Sequence, residues 1–267
     1  MTILTAFDRR TAILTYLQQH RRASTRQLSD QFGVSEVTIR ADLATLEKGG
    51  HLNRQHGGAE LPKPEQGEQP FDLRRSQHPN QKIEVARAAA ATIEPGDTIL
   101  LDASSTAFQL ALMLKNHRNL TVATNNVQTA LALAGNPSLE IILIGGLVRG
   151  DNWSVVGGLA EEMLGKLHAT RGFFGAAGLT LDRGLTDADS REVQIKRAMI
   201  AATNQVTVLL DASKFGQQSF LTFAHLADID HLITDAIPEA YREACRLNEV
   251  SLTLVERLSQ GSRHEPS

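Results

Sequence analysis

A single cysteine, Cys245, stands among 267 residues. That excludes an intrachain disulfide and any metal site built from several thiolates, and it suits a reducing compartment. Its expected place is the core. No apolar run reaches the roughly 18 to 20 residues of a membrane-crossing helix, and Met1 to Phe7 lack a secretory signal pattern. A cytoplasmic location and no membrane partner are therefore expected. Internal repeats and heptads are also missing, so no coiled coil announces an interface. Positive charge is scarce too, with 27 Lys+Arg against 30 Asp+Glu and a net charge of −3. Taken alone, that balance argues against nucleic acid. Its distribution says otherwise: residues 1–60 hold 8 Lys+Arg against 6 Asp+Glu, and the remainder 19 against 24. A slightly basic front end on an acidic body fits a small DNA-reading module, and with so little positive charge tight binding needs two or more copies. The 42% hydrophobic content is that of an ordinary soluble protein with room for one small and one medium domain.

What is present is most informative between Ser35 and Leu43. Ser35 reads as a helix cap, and Ile39, Leu43 and Leu46 recur at the i, i+4, i+7 spacing that anchors a helix to a core. Val37, Thr38, Arg40, Ala41, Ala44 and Lys48 lie on or toward the other side, where nothing bulky obstructs entry into a major groove. Arg40 and Thr38 suit base edges or phosphates, and Val37 and Ala41 suit a thymine methyl. Upstream, Ser24-Thr25-Arg26-Gln27 reads as a capping box. It opens a short helix with Leu28 and Phe32 buried and Gly33 as its stop. Gly33-Val34 then leaves a tight turn, as in a helix-turn-helix. Ile13, Leu14 and Leu17 supply the stripe of a first helix. After Gly49-Gly50, the segment Leu52 to Gly58 reads as a wing, with Arg54 and His56 exposed beside Gly57. A capped amphipathic helix is common in any globular protein; this ordered set within 60 residues is not.

Arg9, Ile13, Leu17, Ser35, Thr38, Ile39, Arg40, Asp42 and Leu43 follow the spacing of the winged-helix signature of the DeoR family of bacterial transcriptional regulators, nine positions over 35 residues. Arg54-Gln55-His56-Gly57-Gly58-Ala59 resembles that family's wing. The resemblance implies a repressor that binds double-stranded operator DNA and is released by a sugar phosphate. The expected DNA-contacting residues are Ser35, Val37, Thr38, Arg40, Ala41, Lys48, Arg54, His56 and Gly57.

Glu60 to Pro70 holds three prolines, one glycine and almost no apolar residue, which predicts an extended, exposed linker. A helix is expected over Gln81–Ile93, packed through Ile83, Val85 and Ala86. From Ile99 onward, short β-branched or leucine-rich runs alternate with helical ones. Strands are expected at Ile99–Leu101, Leu120–Ala123, Ile141–Ile144, Gly172–Phe174, Val206–Leu210, His231–Ile233 and Leu252–Leu254, in a mainly parallel sheet covered on both faces. Ligands of such sheets sit beyond the strands' C-terminal ends. The segments there are polar or glycyl: Asp102 to Thr106, Thr124 to Asn126, Gly145-Gly146, Gly175 to Gly178 and Asp211 to Gly216. Each alone is ordinary turn chemistry; five together point to a ligand. Ser104, Ser105 and Thr106 suit phosphate oxygens, Lys214 a cation at the same pocket, and Asp102 the hydroxyls of a sugar.

This half also resembles the DeoR sensor domain from about Gln81 to Leu254. It carries, in order, Asp102-Ala-Ser-Ser-Thr106, Thr124-Asn125, Gly145-Gly146 with Arg149, Ser154 and Gly157, Gly184-Leu185-Thr186, Glu192-x-x-x-Lys196-Arg197-x-Met199 and Asp211-x-Ser213-Lys214-Phe215. That sensor is similar in fold to ribose-5-phosphate isomerase, whose Asp-Gly-Ala-Asp-Glu segment transfers protons. Here Gly175-Ala176-Ala177-Gly178-Leu179 has no carboxylate, so the resemblance implies binding without turnover. Asp187, Asp189 and Glu192 leave carboxylates nearby, and an isomerase-like enzyme with an appended DNA-binding domain stands as the alternative. The expected class is α/β: a winged helix-turn-helix domain at 1–60, a linker at 61–80 and a larger sensor domain at 81–258. The effector-binding residues are expected at Asp102, Ser104, Ser105, Thr106, Thr124, Asn125, Gly145, Gly146, Gly175, Glu192 and Lys214. The resemblance implies a homo-oligomer, dimer or tetramer, with no cofactor or metal.

Overall fold

The computed structural model describes residues 5–20, 22–48, 52–55, 57–60 and 68–255. The chain separates into two compact units, Met1–Gln77 and His78–Ser267.

In the first unit, α1 (Ala6–His20), β1 (Arg22–Ser24), α2 (Thr25–Phe32) and α3 (Glu36–Lys48) are followed by β2 (Asn53–Gln55), β3 (Gly58–Glu60) and α4 (Phe71–Ser76). The capping box forms as the residue types dictate: Gln27 N donates to Ser24 Oγ at 3.1 Å and Ser24 N to Gln27 Oε1 at 2.8 Å. Gly33 ends α2 in the left-handed region at φ 64°, where glycine carries no Cβ penalty. Ile13, Leu17, Leu28, Ile39 and Leu43 close the three-helix core with at most 1% exposure. Phe32 is half-buried rather than buried, its ring edge-on to Tyr16 at 6.3 Å. The three strands pair antiparallel in the order β1-β3-β2. The close approach of β1 requires glycine at 58, because a Cβ there would stand 2.3 Å from Ala23 O.

The linker expected at 61–80 is corrected in its second half. Helix α4 forms there with Phe71 and Leu73 buried, since two apolar residues spaced i, i+2 after Pro70 find a core to enter. Residues 61–67, the proline-rich part, lie outside the described residues.

The second unit opens with α5 (Pro79–Ala90) and continues through β4 (Thr98–Leu101), α6 (Ser105–Leu114), β5 (Leu120–Thr124), α7 (Val127–Leu133) and β6 (Leu139–Leu143). Next come β7 (Leu147–Arg149), β8 (Ser154–Val156), α8 (Gly158–Leu164), β9 (Ala169–Phe174), β10 (Gly178–Thr180), β11 (Gly184–Asp187) and α9 (Ser190–Ala201). The unit ends with β12 (Thr203–Leu210), β13 (Leu221–Ala224), β14 (His231–Thr234), α10 (Glu239–Leu247) and β15 (Ser251–Leu254). Seven strands make one sheet in the order β15-β14-β12-β9-β4-β5-β6, every neighbouring pair parallel. Alternate residues of a strand point to opposite faces: Leu100 and Phe174 enter one buried cluster, Ile99, Leu101 and Phe173 the other. Covering helices on both faces explain the nearly unbroken apolar strands. Two small antiparallel pieces also form, the β7–β8 hairpin and a β10-β11-β13 sheet.

Candidate functional sites

Helix α3 is seated by Ile39, Leu43 and Leu46, and by Asp42, whose buried carboxylate accepts from Arg9 Nε at 2.6 Å and lies 3.7 Å from Arg10 Nε. Arg9 and Asp42 are thus a clamp between α1 and α3. On the outward side, Ser35 Oγ accepts from Thr38 N at 3.2 Å and meets Thr38 Oγ1 at 2.9 Å, which caps the helix. Val37 is 71% exposed, and Ala41 and Arg40 are exposed. Arg40 pairs with Glu36 one turn back, Nη2 to Oε2 at 2.9 Å. The wing is tied to α3 through Glu47, whose carboxylate accepts from Arg54 N at 3.2 Å and lies 3.6 Å from Arg54 Nη1. Gly57, at φ 84°, turns β2 into β3 and its carbonyl accepts from Thr25 N at 2.8 Å. His56 and the side chain of Lys48 lie outside the described residues.

In the second unit, Asp102, Asn125, Gly175, Asp211 and Asp235 each directly follow a strand of the parallel sheet, all at its C-terminal edge. Asp102 is fully buried; Oδ1 accepts from Ser104 N and Oδ2 from Gly175 N, both at 3.0 Å. Lys196, from the middle of α9, completes the arrangement. Its Nζ lies 3.0 Å from Asp102 Oδ2 and 2.6 Å from Asp187 Oδ2, and it donates to Gly175 O at 2.5 Å. Burial alone would lower the lysine's pKa, but Asp102 and Asp187 outweigh it and hold the ammonium well above its ordinary value. One turn earlier on α9, Glu192 accepts from Arg149 Nη1 at 2.8 Å and from Ser154 Oγ of the β7–β8 hairpin. Arg149 Nη2 also lies 3.1 Å from Asp189 Oδ2. Asp189 caps α9; burial would raise its pKa, but Arg191, Arg149 and the backbone N–H groups lower it. Four carboxylates, Asp102, Asp187, Asp189 and Glu192, therefore meet three cations: the buried Lys196, the part-buried Arg149 and, on Asp189 at 2.9 Å, the more exposed Arg191. One carboxylate in excess leaves the cluster net acidic, which suits a ligand that brings hydroxyl donors.

Several expected positions serve the framework. Ser104 Oγ accepts from Ala107 N to cap α6, Thr124 Oγ1 accepts from Asn126 N, and both backbone groups of Gly175 are engaged as described. A Cβ on Gly175 would stand 2.5 Å from Ser104 Cβ, so only glycine fits. Gly146, at φ 149°, would place a Cβ 2.7 Å from Val156 O, and Gly145 N meets Met163 Sδ at 3.5 Å. The cation in contact with Asp102 is Lys196. Lys214 stands on the turn Ala212–Lys214 after β12, half-buried, with no ion pair among the described residues. The hydroxyls of Ser105 and Thr106, buried in the first turn of α6, form no hydrogen bond among the described residues. Asn125 Oδ1 and Asp211 Oδ2 are buried acceptors without a donor among the described residues. Sequence reasoning passed over Lys196, Arg149 and Ser154 as site members. The usable signal was two charged residues, Glu192 and Lys196, at i, i+4 on a helix face shared with Val193 and Met199.

A family model described as the DeoR C terminal sensor domain matches residues 77–236, and one described as a DeoR-like helix-turn-helix domain matches residues 9–65. The HTH-type transcriptional regulator GolR of Listeria innocua is 37% identical over 229 residues, covering 86% of this chain and 90% of that protein. The HTH-type transcriptional repressor GlcR of Bacillus subtilis is 36% identical over 251 residues, covering 94% and 96%. Among solved structures, ribose 5-phosphate isomerase A from Methanocaldococcus jannaschii aligns with a TM-score of 0.38 and 17% identity over 50% of this chain and 53% of that one. The chain belongs to the DeoR family of transcriptional regulators.

Proposed function

We propose that the chain is a cytoplasmic, homo-oligomeric repressor of a carbohydrate-catabolism operon. In this reading α3 and the wing bind operator half-sites, and a phosphorylated sugar held by the second unit releases them. The observation that carries the sensor half is the buried Asp102–Lys196–Asp187 group at the sheet's C-terminal edge, beside unpartnered hydroxyls on α6. Ser105, Thr106 and the free N–H groups of the α6 start suit phosphate oxygens. The net acidic cluster and Asn125 Oδ1 suit sugar hydroxyls. An isomerase needs a carboxylate free to take a proton; Asp102 and Asp187 are both engaged by Lys196, which favours binding over turnover. Release requires the ligand to bind the DNA-free arrangement more tightly than the DNA-bound one.

The test uses the full chain, a duplex from its own promoter region and a random duplex, at moderate ionic strength. Preference for the promoter duplex, lost on adding one of a panel of pentose and hexose phosphates, is the expected result. No preference over random DNA overturns the repressor reading, and conversion of any of the phosphates to product establishes the enzyme instead.

A further inference from the structure

The first turn of α3 carries an acid where a DNA-reading surface is least hospitable to one. Glu36 lies beside the 71%-exposed Val37, one turn from Arg40, with its own side chain 42% and that of Arg40 60% exposed. Its Oε2 accepts from Arg40 Nη2 at 2.9 Å, while its Oε1 accepts no hydrogen bond among the described residues. An exposed i, i+4 ion pair contributes little to folding, and a carboxylate in the first turn of a helix adds only about 0.3–1 kcal/mol, so stability alone is a weak reason for the carboxylate. Phosphates on both sides of a groove repel it, which weakens binding to every sequence alike. That repulsion is offset where the groove presents a donor. In the major groove, among the donors are the N4 amino group of cytosine and the N6 amino group of adenine, and cytosine N4 is the usual partner of Glu and Asp.

Resting on the reading of α3 as the operator-contacting helix, we propose that Glu36 is a specificity-determining residue for the operator. Its Oε1 accepts from cytosine N4–H2, and its Oε2 holds the Arg40 guanidinium by one edge. The other edge of Arg40 is then left toward the O6 and N7 acceptors of a guanine. The two side chains read a C and a G at neighbouring positions of each half-site.

The experiment selects preferred duplexes from a random pool with the full chain, with Glu36→Ala and with Glu36→Gln. It also measures the affinity of each for one non-specific duplex and its thermal midpoint. The expected result for Glu36→Ala is loss of cytosine preference at one position by about tenfold or more. Binding to the non-specific duplex tightens at the same time, and the thermal midpoint barely moves. Glu36→Gln is expected to exchange cytosine for adenine there, because an amide donates and accepts against N7 and N6 of adenine. A residue that serves only the helix start would move the midpoint and leave base preference alone. An unaltered chain that selects a sequence which Glu36→Ala selects equally well overturns the role of Glu36 only. An unaltered chain that selects nothing overturns the operator-reading function and this role together.

Discussion

Lys196 concentrates the energetics of the sensor unit, because its ammonium is the group that neutralises both Asp102 and Asp187 in a buried setting. Lys196→Met leaves two carboxylates facing each other without a cation. Breaking a buried pair on one side costs about 3–5 kcal/mol, so a large fall in thermal midpoint is expected by calorimetry. The pH dependence has a definite sign. Because the folded pKa is raised, this contribution is complete below the ordinary lysine value of 10.5 and is lost only as pH climbs beyond it. Asp189 behaves oppositely: its folded pKa is lowered from 3.8, so its capping of α9 is complete above that value and is lost as pH falls through the depressed one. Ser105 and Thr106 give the cleaner functional probe. Their hydroxyls have no partner to lose among the described residues, so Ser105→Ala combined with Thr106→Val is expected to leave the midpoint unchanged. Effector affinity, read by isothermal titration, is expected to fall tenfold or more, as for lost hydrogen bonds to a charged group.

At the scale of elements, α3 works only if α1 holds it, and the Arg9–Asp42 pair at 2.6 Å does so. Asp42→Ala is expected to lower the unfolding midpoint and operator affinity together, whereas Arg40→Ala lowers affinity and leaves the midpoint in place. Melting curves and fluorescence anisotropy on the two variants separate positioning from contact. The same elements show what a sequence can disclose. The helix-turn-helix was legible because caps, apolar spacing and a glycine stop are local chemistry, and the parallel strands because most carry an apolar run, although the edge strands β6 and β15 are only partly buried. The β7–β8 hairpin and the β10-β11-β13 sheet were not, since their strands of 3 or 4 residues lie among glycines and polar residues and are not spaced by helical segments as the equally short β4 and β14 are. Helix α4 was hidden by the prolines before it. At the site, Asp102 was legible from its place after a strand. Lys196 was not, because it reaches Asp102 from α9, 94 positions along the chain, and only the packing of that helix brings them together.

For the whole molecule, charge decides how binding must be achieved. A net charge of −3 with only a modestly basic front end predicts that one head neutralises few phosphates and binds non-specific DNA weakly. Arg54 is the wing's exposed cation among the described residues, half-committed to Glu47 at 3.6 Å. If it contacts a phosphate in the complex, Arg54→Ala is expected to weaken binding to all duplexes nearly equally. The slope of log affinity against log salt then falls by about one. Arg40→Ala, by contrast, is expected to weaken the promoter duplex more than the random one. In the proposed homo-oligomer, two heads joined through their bodies multiply these small affinities, provided the spacing of half-sites matches the spacing of heads. An effector that alters that spacing therefore acts on the joint affinity without touching either helix. In the proposed repressor, linkage makes the same coupling measurable from the other side: the factor by which a sugar phosphate weakens operator binding is the factor by which operator DNA weakens sugar-phosphate binding. Titrating the effector into the chain with and without saturating promoter duplex is expected to return that factor. Equal affinities in the two titrations would mean that the two units act independently.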